Sequence, residues 1–268
     1  VNSALRFAAG GLGLATAAGL AQMLPALSAL RRLRNLAMPR LAGVGDHSHV
    51  ALTFDDGPSP GSTPAFLDAL DGLGWRATFF MLGEMAAKAP ELVLEVAQRG
   101  HEVAVHGFKH ENHLGKDVRW ATRDVLMARD LLSELLGTPP RWFRPPYGAL
   151  AGSSLVAARR AGLKPVLWTT WGRDWEKTAT AETVVQHVKA SMVSGPTVLL
   201  HDSDCSSAEG SWKATLAALP LLGELWAGKS LRVGPLSQHW EPSEDVQAPP
   251  RASPVATESY QLPPRVKG

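Results

Sequence analysis

The sequence predicts an α/β fold, a parallel sheet with crossover helices curled into a closed or nearly closed barrel. Three observations carry this prediction. Short apolar runs alternate with stretches of helical periodicity, the pattern of βα units. About seven such units fit into about 190 residues, which favours a curled barrel over an open sheet. Polar clusters recur directly after the apolar runs, at Asp55-Asp56, His106, Arg144, Asp174 and His201-Asp202, and in a βα barrel those strand ends meet on one rim.

The elements follow in order. His49 to Phe54 reads as a buried strand, and Ser62-Thr63-Pro64 supplies an N-cap and a first-turn proline for a helix carrying Phe66, Leu67 and Leu70. Ala77 to Leu82 is the next strand. Pro90 to Gly100 sets Leu92, Val93, Val96 and Ala97 on one helical stripe before a closing glycine, and Glu102 to Val105 follows as a strand. A long helix spans about Asp117 to Gly137. Further strands are expected at Arg141 to Phe143, Lys164 to Thr169, Thr197 to Leu200 and Leu231 to Val233. Helices near 153–162, 181–193 and 212–226 lie between them.

Composition divides the chain into three parts. Residues 1–45 form a hydrophobic Ala/Gly/Leu-rich segment with an arginine cluster, residues 46–238 a compact body, and residues 239–268 a proline-rich end. That end has six prolines in its last 28 residues and is expected to be disordered. From Phe7 to Leu30 no residue is charged, a length that can cross a bilayer, although half of these residues are Ala or Gly and Pro25 interrupts them. Residues 7–30 are therefore open to three readings: a membrane anchor, a signal peptide cut near Ala26-Leu27-Ser28, or a helical hairpin on the body. Membrane association or export is the expectation. One arginine precedes the run and four follow it, however, a bias that would leave the body in the cytoplasm.

The formal net charge of +2 has a local origin. Five arginines stand in the first forty residues without an acid, and the rest of the chain carries 22 basic against 25 acidic side chains. A slightly acidic body argues against a groove that neutralises many phosphates, and so against nucleic acid as partner. The lone Cys205 can form no internal disulfide.

Chemistry concentrates at the strand ends. Asp55-Asp56 puts two carboxylates where the chain must turn into Gly57-Pro58; on a pleated strand they would diverge, so the turn rotates them to different tasks. Taken alone, Asp-Asp-Gly-Pro reads first as a solvated Asx turn. His106 and His110 are spaced so that both imidazoles can approach one cation, and two histidines with one carboxylate leave coordination positions open, as in a catalytic metal site. That spacing is also common among surface histidines, and His113 nearby could be mistaken for a third ligand. Arg144-Pro-Pro-Tyr147-Gly148 is stiff because both prolines fix φ, a way to hold a guanidinium and a backbone amide in place or simply a rigid loop. Cys205 as a nucleophile lacks an unassigned His/Asp pair to activate it.

In this order and at these intervals, Thr53-Phe-Asp-Asp-Gly-Pro58, His106-x-x-x-His110, Arg144-Pro-Pro-Tyr-Gly148, Asp174-Trp175 and Leu199-Leu-His-Asp202 resemble the five motifs of the NodB-like polysaccharide deacetylases, carbohydrate esterase family 4. The resemblance covers about Val50 to Val233. It implies a distorted (β/α)7 barrel, the NodB homology domain, and removal of N-acetyl groups from amino sugars of an acetylated glycan, peptidoglycan or chitin-like. It implies a divalent metal, zinc or cobalt, on Asp56, His106 and His110. Asp55 would be the general base for the attacking water, held by Arg144. Tyr147 would offer its backbone N–H to the oxyanion, and His201, oriented by Asp174, would protonate the departing amine. Trp175 and Leu199 would line the pocket for the acetyl methyl.

The chain departs from the family pattern at Gly107, where a Ser or Thr is common. A hydroxyl that steadies the loop between the histidines is missing there, which leaves loop rigidity and metal affinity open at the level of sequence. Gly172-Arg173 precedes Asp174 in place of another acid, and Ser203 to Ser207 forms a polar loop expected at the substrate edge.

Two other functions use part of the same residues. A two-His-one-carboxylate iron oxygenase explains the ligands but gives no task to Asp55, Arg144 or the His201–Asp174 pair. A non-catalytic glycan-binding barrel could use the nine tryptophans for stacking, yet every catalytic position is filled.

Overall fold

The computed structural model describes residues 31–240. The apolar stretch 7–30 and the residues from 241 onward lie outside the described residues, and with them the expectations of a membrane segment and a disordered end. Eight strands form one sheet: β1 His49–Asp55, β2 Thr78–Met81, β3 Glu102–Val105, β4 Trp142–Phe143, β5 Lys164–Pro165, β6 Thr170–Trp171, β7 Thr197–His201 and β8 Arg232–Gly234. Their order is β5-β4-β3-β2-β1-β7-β6, with β8 beside the start of β1. All pairings are parallel, so the strand ends bearing the polar clusters share one rim of a curled α/β sheet.

All seven residues of β1 are buried, as a central parallel strand requires when both its faces are covered. Its two-residue period separates two cores. Val50, Leu52 and Phe54 pack with Phe66, Leu70 and Phe79 in the layer shared with the helices. Ala51 packs inside the barrel with Phe80, Ala104, Trp142, Val166 and Leu236. By the same period Thr53 and Asp55 point inward, and both meet Arg144 there. Phe54 sits edge-on to Phe66 and stacked on Phe79, at centroid distances of 5.2 and 5.1 Å; burying such a ring is worth about 3 kcal/mol.

The long helix runs Val118–Leu136. Asp117 caps it by accepting from the Trp120 N–H, and Gly137 ends it at φ 70. The Thr63–Gly72 helix starts where the sequence places it, but Ser62 does not cap it. Its hydroxyl donates instead to the Asp202 carbonyl at 2.5 Å. A short helix, Gly83–Lys88, precedes Pro90–Gln98 and was not legible from periodicity.

The expected strand from Lys164 to Thr169 is corrected: only Lys164–Pro165 of it pairs, as β5, and β6 starts just past its end, at the opposite edge of the sheet. Between them the backbone is engaged elsewhere. The Leu167 N–H donates to the Leu41 carbonyl at 2.8 Å, and the carbonyls of Val166 and Leu167 accept from the Arg144 guanidinium. Segment 166–169 thus bridges the two edges, which distorts the barrel. Packing also runs past residues 46–238. Ala42 and His239 are fully buried, and Trp240 Nε1–H donates to the Val44 carbonyl.

Candidate active site

Five strand ends build the site. Asp55 closes β1 and points inward. Asp56 follows at φ 79, a left-handed turn that swings its carboxylate back toward the same space. His106 leaves β3 and Arg144 leaves β4, while Asp174 follows β6 and His201 ends β7.

Asp56, His106 and His110 form a cluster whose ligand atoms lie within 4.8 Å of one another. The Nε2 atoms of both histidines are 3.3 Å from Asp56 Oδ1. His106 Nδ1–H donates to the Arg144 carbonyl at 2.9 Å, which leaves Nε2 as the nitrogen that faces Asp56. Burial lowers the pKa of His110, favouring the neutral form a ligand must have. Asp56 Oδ1 is buried without a hydrogen-bond partner, while Oδ2 accepts from Ser206 Oγ. Burial opposes charge on Asp56, but His106, His201 and His110 hold its carboxyl well below the usual range. An orphaned carboxylate oxygen facing two imidazole nitrogens fits a divalent cation.

Beside this cluster Asp55 Oδ1 accepts from Arg144 at 2.6 Å, and Oδ2 lies 3.8 Å from His106 Nε2. Arg144 is fully buried. Its guanidinium also donates to Thr53 Oγ1 at 2.9 Å and lies 4.0 Å over the Phe80 ring. On the other flank His201 Nδ1–H donates to Asp174 Oδ1 at 2.9 Å, and the His201 backbone N–H donates to Oδ2 at 2.7 Å. Burial works against a charge on this imidazole, but the Asp174 carboxylate outweighs it and lifts the pKa to about 10.

Asp55, His106, His110 and His201 open on a cavity of about 370 Å³ that also exposes Tyr147, Trp175 and Leu199, a volume in the range of small-molecule sites. Tyr147 adopts φ 59, and its ring packs on His110 with centroids 4.3 Å apart. Trp175 meets the His201 ring edge-on at 5.7 Å. Seven of the ten residues singled out in the sequence thus line one cavity, and the buried Asp56, Arg144 and Asp174 each contact one of those seven from behind. His113 is apart from them: its Nδ1 lies 3.1 Å from Ser154 Oγ, on the far side of the loop. Burial pushes the Cys205 thiol up to about 12, away from nucleophilic use.

Three contributors escaped the sequence reading. Thr215 donates to Asp174 Oδ2 at 2.8 Å, and Trp168 and Trp171 extend the cavity wall; Ser206, of the polar loop expected at the substrate edge, reaches Asp56. Thr215 did carry a signal, since it occupies the buried stripe that continues through Ala218, Leu219 and Leu222. A lone polar side chain on such a stripe needs a partner.

A curled parallel barrel whose strand ends hold a carboxylate–dihistidine cluster between an Asp–Arg and an Asp–His pair defines a hydrolase-type site. The comparisons agree. The family model for polysaccharide deacetylase matches residues 42–166. A chitooligosaccharide deacetylase of a Bradyrhizobium species is 35% identical over 197 residues, 70% of this chain and 89% of the relative. A peptidoglycan-N-acetylglucosamine deacetylase of Bacillus cereus is 33% identical over 181 residues, 68% of this chain and 66% of the relative. A crystal structure of a peptidoglycan N-acetylglucosamine deacetylase, in complex with 4-naphthalen-1-yl-N-oxidanyl-benzamide, superposes with a TM-score of 0.70 at 29% identity. It covers 79% of this chain and 98% of its own. The chain belongs to the polysaccharide deacetylase family, carbohydrate esterase family 4, and is an enzyme of the hydrolase class.

Proposed function

We propose that this chain is a metal-dependent deacetylase that hydrolyses the N-acetyl amide of amino sugars in a glycan, peptidoglycan or a chitin-like oligomer. One observation carries the reading: two separate proton-handling groups, Asp55 held by Arg144 and His201 held by Asp174, line one cavity together with His106 and His110 of the Asp56–His106–His110 cluster. Amide hydrolysis needs both, a base for the attacking water and an acid for a poor amine leaving group.

Asp56, His106 and His110 would hold zinc or cobalt, which when bound supplies Lewis acidity to the amide carbonyl and lowers the pKa of water. Asp55 takes the proton of the attacking water. Arg144 fixes Oδ1 of that carboxylate and leaves Oδ2 to act. His201, protonated through Asp174, delivers its proton to the amine nitrogen as the C–N bond breaks. The Tyr147 backbone N–H donates to the developing oxyanion, and Trp175 and Leu199 wall the acetyl methyl.

Purified protein, depleted of metal and reloaded with zinc or cobalt, should release acetate from at least one of a panel of N-acetylglucosamine oligomers and peptidoglycan fragments. Metal content is measured on the same sample. Full metal occupancy without acetate from any of these, or from a simple acetylated ester, would defeat the proposal.

A further inference from the structure

The loop between the two histidines is firmly held although it lacks the hydroxyl that the family pattern places after His106. Gly107 takes φ 97, a left-handed backbone that a side chain rarely adopts, and a Cβ built there would lie 2.8 Å from Asp124 Oδ2. Asp124 comes from the Val118–Leu136 helix and is buried. Its Oδ2 accepts the Phe108 N–H and its Oδ1 the Lys109 N–H, both at 3.1 Å. The same carboxylate lies 3.5 Å from His113 Nε2, whose ring reaches Ser154 Oγ on the next helix at 3.1 Å. On the loop's other side, the Gly83 and Glu84 N–H groups donate to the Gly107 and Phe108 carbonyls, each at 2.9 Å.

From this geometry we propose that Asp124 is the positioning residue of the metal loop, fixing the separation and aim of His106 and His110 through the two amides between them. It occupies the space a side chain at position 107 would need, so Gly107 and Asp124 are one coupled solution that excludes the hydroxyl-based one. His113 is the outer support of that carboxylate, not a ligand. The inference rests on the metal reading of the His106–His110 cluster. Residues that orient metal ligands from behind typically set metal affinity by ten- to a hundredfold.

The test is cobalt(II) binding by the full chain, titrated against a chromophoric chelator at a temperature where every metal-free variant is folded by circular dichroism. Asp124→Asn keeps the shape but offers one acceptor oxygen where two are needed. It should weaken cobalt roughly ten- to a hundredfold and alter the visible cobalt spectrum. Its metal-free melting midpoint should move by no more than about 4 °C, the effect of losing one net hydrogen bond in a domain of this size. Leu132→Ala, which opens a cavity under the same helix, should lower the midpoint and leave cobalt affinity unchanged. Affinity and spectrum of Asp124→Asn equal to wild type overturn the inference, as does an equal loss of affinity in Leu132→Ala. Wild-type protein that binds no cobalt removes the metal reading itself, and this inference with it.

Discussion

Replacing Asp174 by asparagine should move the basic limb of the pH–rate profile. The carboxylate accepts from His201 Nδ1–H, the His201 backbone N–H and the Thr215 hydroxyl, and its charge lifts the imidazole from an ordinary 6.5 to about 10. A raised pKa means that the protonated acid is present at lower pH and lost only as pH rises through 10. At pH 8 the wild-type imidazole is therefore almost fully protonated. With that charge gone the burial remains, offset only by the Asp56 and Asp55 carboxylates, and the pKa falls toward 6.5, where at pH 8 about 3% of His201 carries the proton. The expected loss in kcat at pH 8 approaches about thirtyfold, shrinking as pH falls toward 6. Asparagine has one acceptor oxygen, so the three donors now shared between two oxygens cannot all be kept, which adds to the loss. Acetate release from an N-acetylglucosamine oligomer between pH 5 and 10 measures this. A basic limb in the same place for variant and wild type would refute the reasoning that Asp174 sets the proton affinity of His201.

Asp55→Asn should lose turnover by at least about a hundredfold while retaining metal, whereas His106→Ala should lose both; metal analysis of the purified variants separates the two. Arg144→Lys should cost about 3 kcal/mol or more, because an ammonium cannot reach Thr53, Asp55, Val166 and Leu167 together; denaturant titration reads it. Acid should destabilise the fold through His49 and His239, a fully buried pair whose Nδ1 atoms lie 2.9 Å apart and whose pKa values burial lowers to about 4. Their contribution is complete above 6.5 and is lost as pH falls toward 4, and in a His49→Gln/His239→Gln double variant the melting midpoint should fall less between pH 7 and 4.5.

The strands at β1, β2, β3 and β7 were legible because each is a contiguous apolar run ending in chemistry. The break at residues 166–169 was not, because Val166-Leu-Trp168 is as apolar as any strand. What removes it from the sheet is a set of distant partners, Leu41 and Arg144, that no local pattern encodes. The motif residues were legible as an ordered set. Asp124 was missed for a different reason: in the sequence it is one acid on a charged helix. Only its position among Ala121, Val125, Ala128 and Leu132 on the buried stripe marks it. The Gly107 departure left the rigidity of the loop open, and the structure shows the loop held from a helix whose link to it is tertiary. Nor did anything local mark the His49–His239 pair, separated by 190 residues.

Arg144 shows why fold and site were readable together from one short motif. The guanidinium stands inside the barrel where the sheet order runs out, and two of its donors close that gap on the Val166 and Leu167 carbonyls. A third nitrogen fixes Asp55 and Thr53 at the end of the central strand. The residue's own carbonyl accepts a hydrogen bond from His106 Nδ1–H and so sets which nitrogen faces Asp56. Barrel closure, the orientation of Asp55 and the ring nitrogen that His106 turns toward Asp56 therefore depend on the placement of one side chain and its own carbonyl. The prolines that follow hold that placement, since Pro145 and Pro146 allow the chain few other directions after β4. A substitution at Arg144 cannot be sorted as structural or catalytic. Any change there that opens the sheet edge also releases Asp55, so stability and turnover should fall together across an Arg144 series, with the lysine variant the least affected.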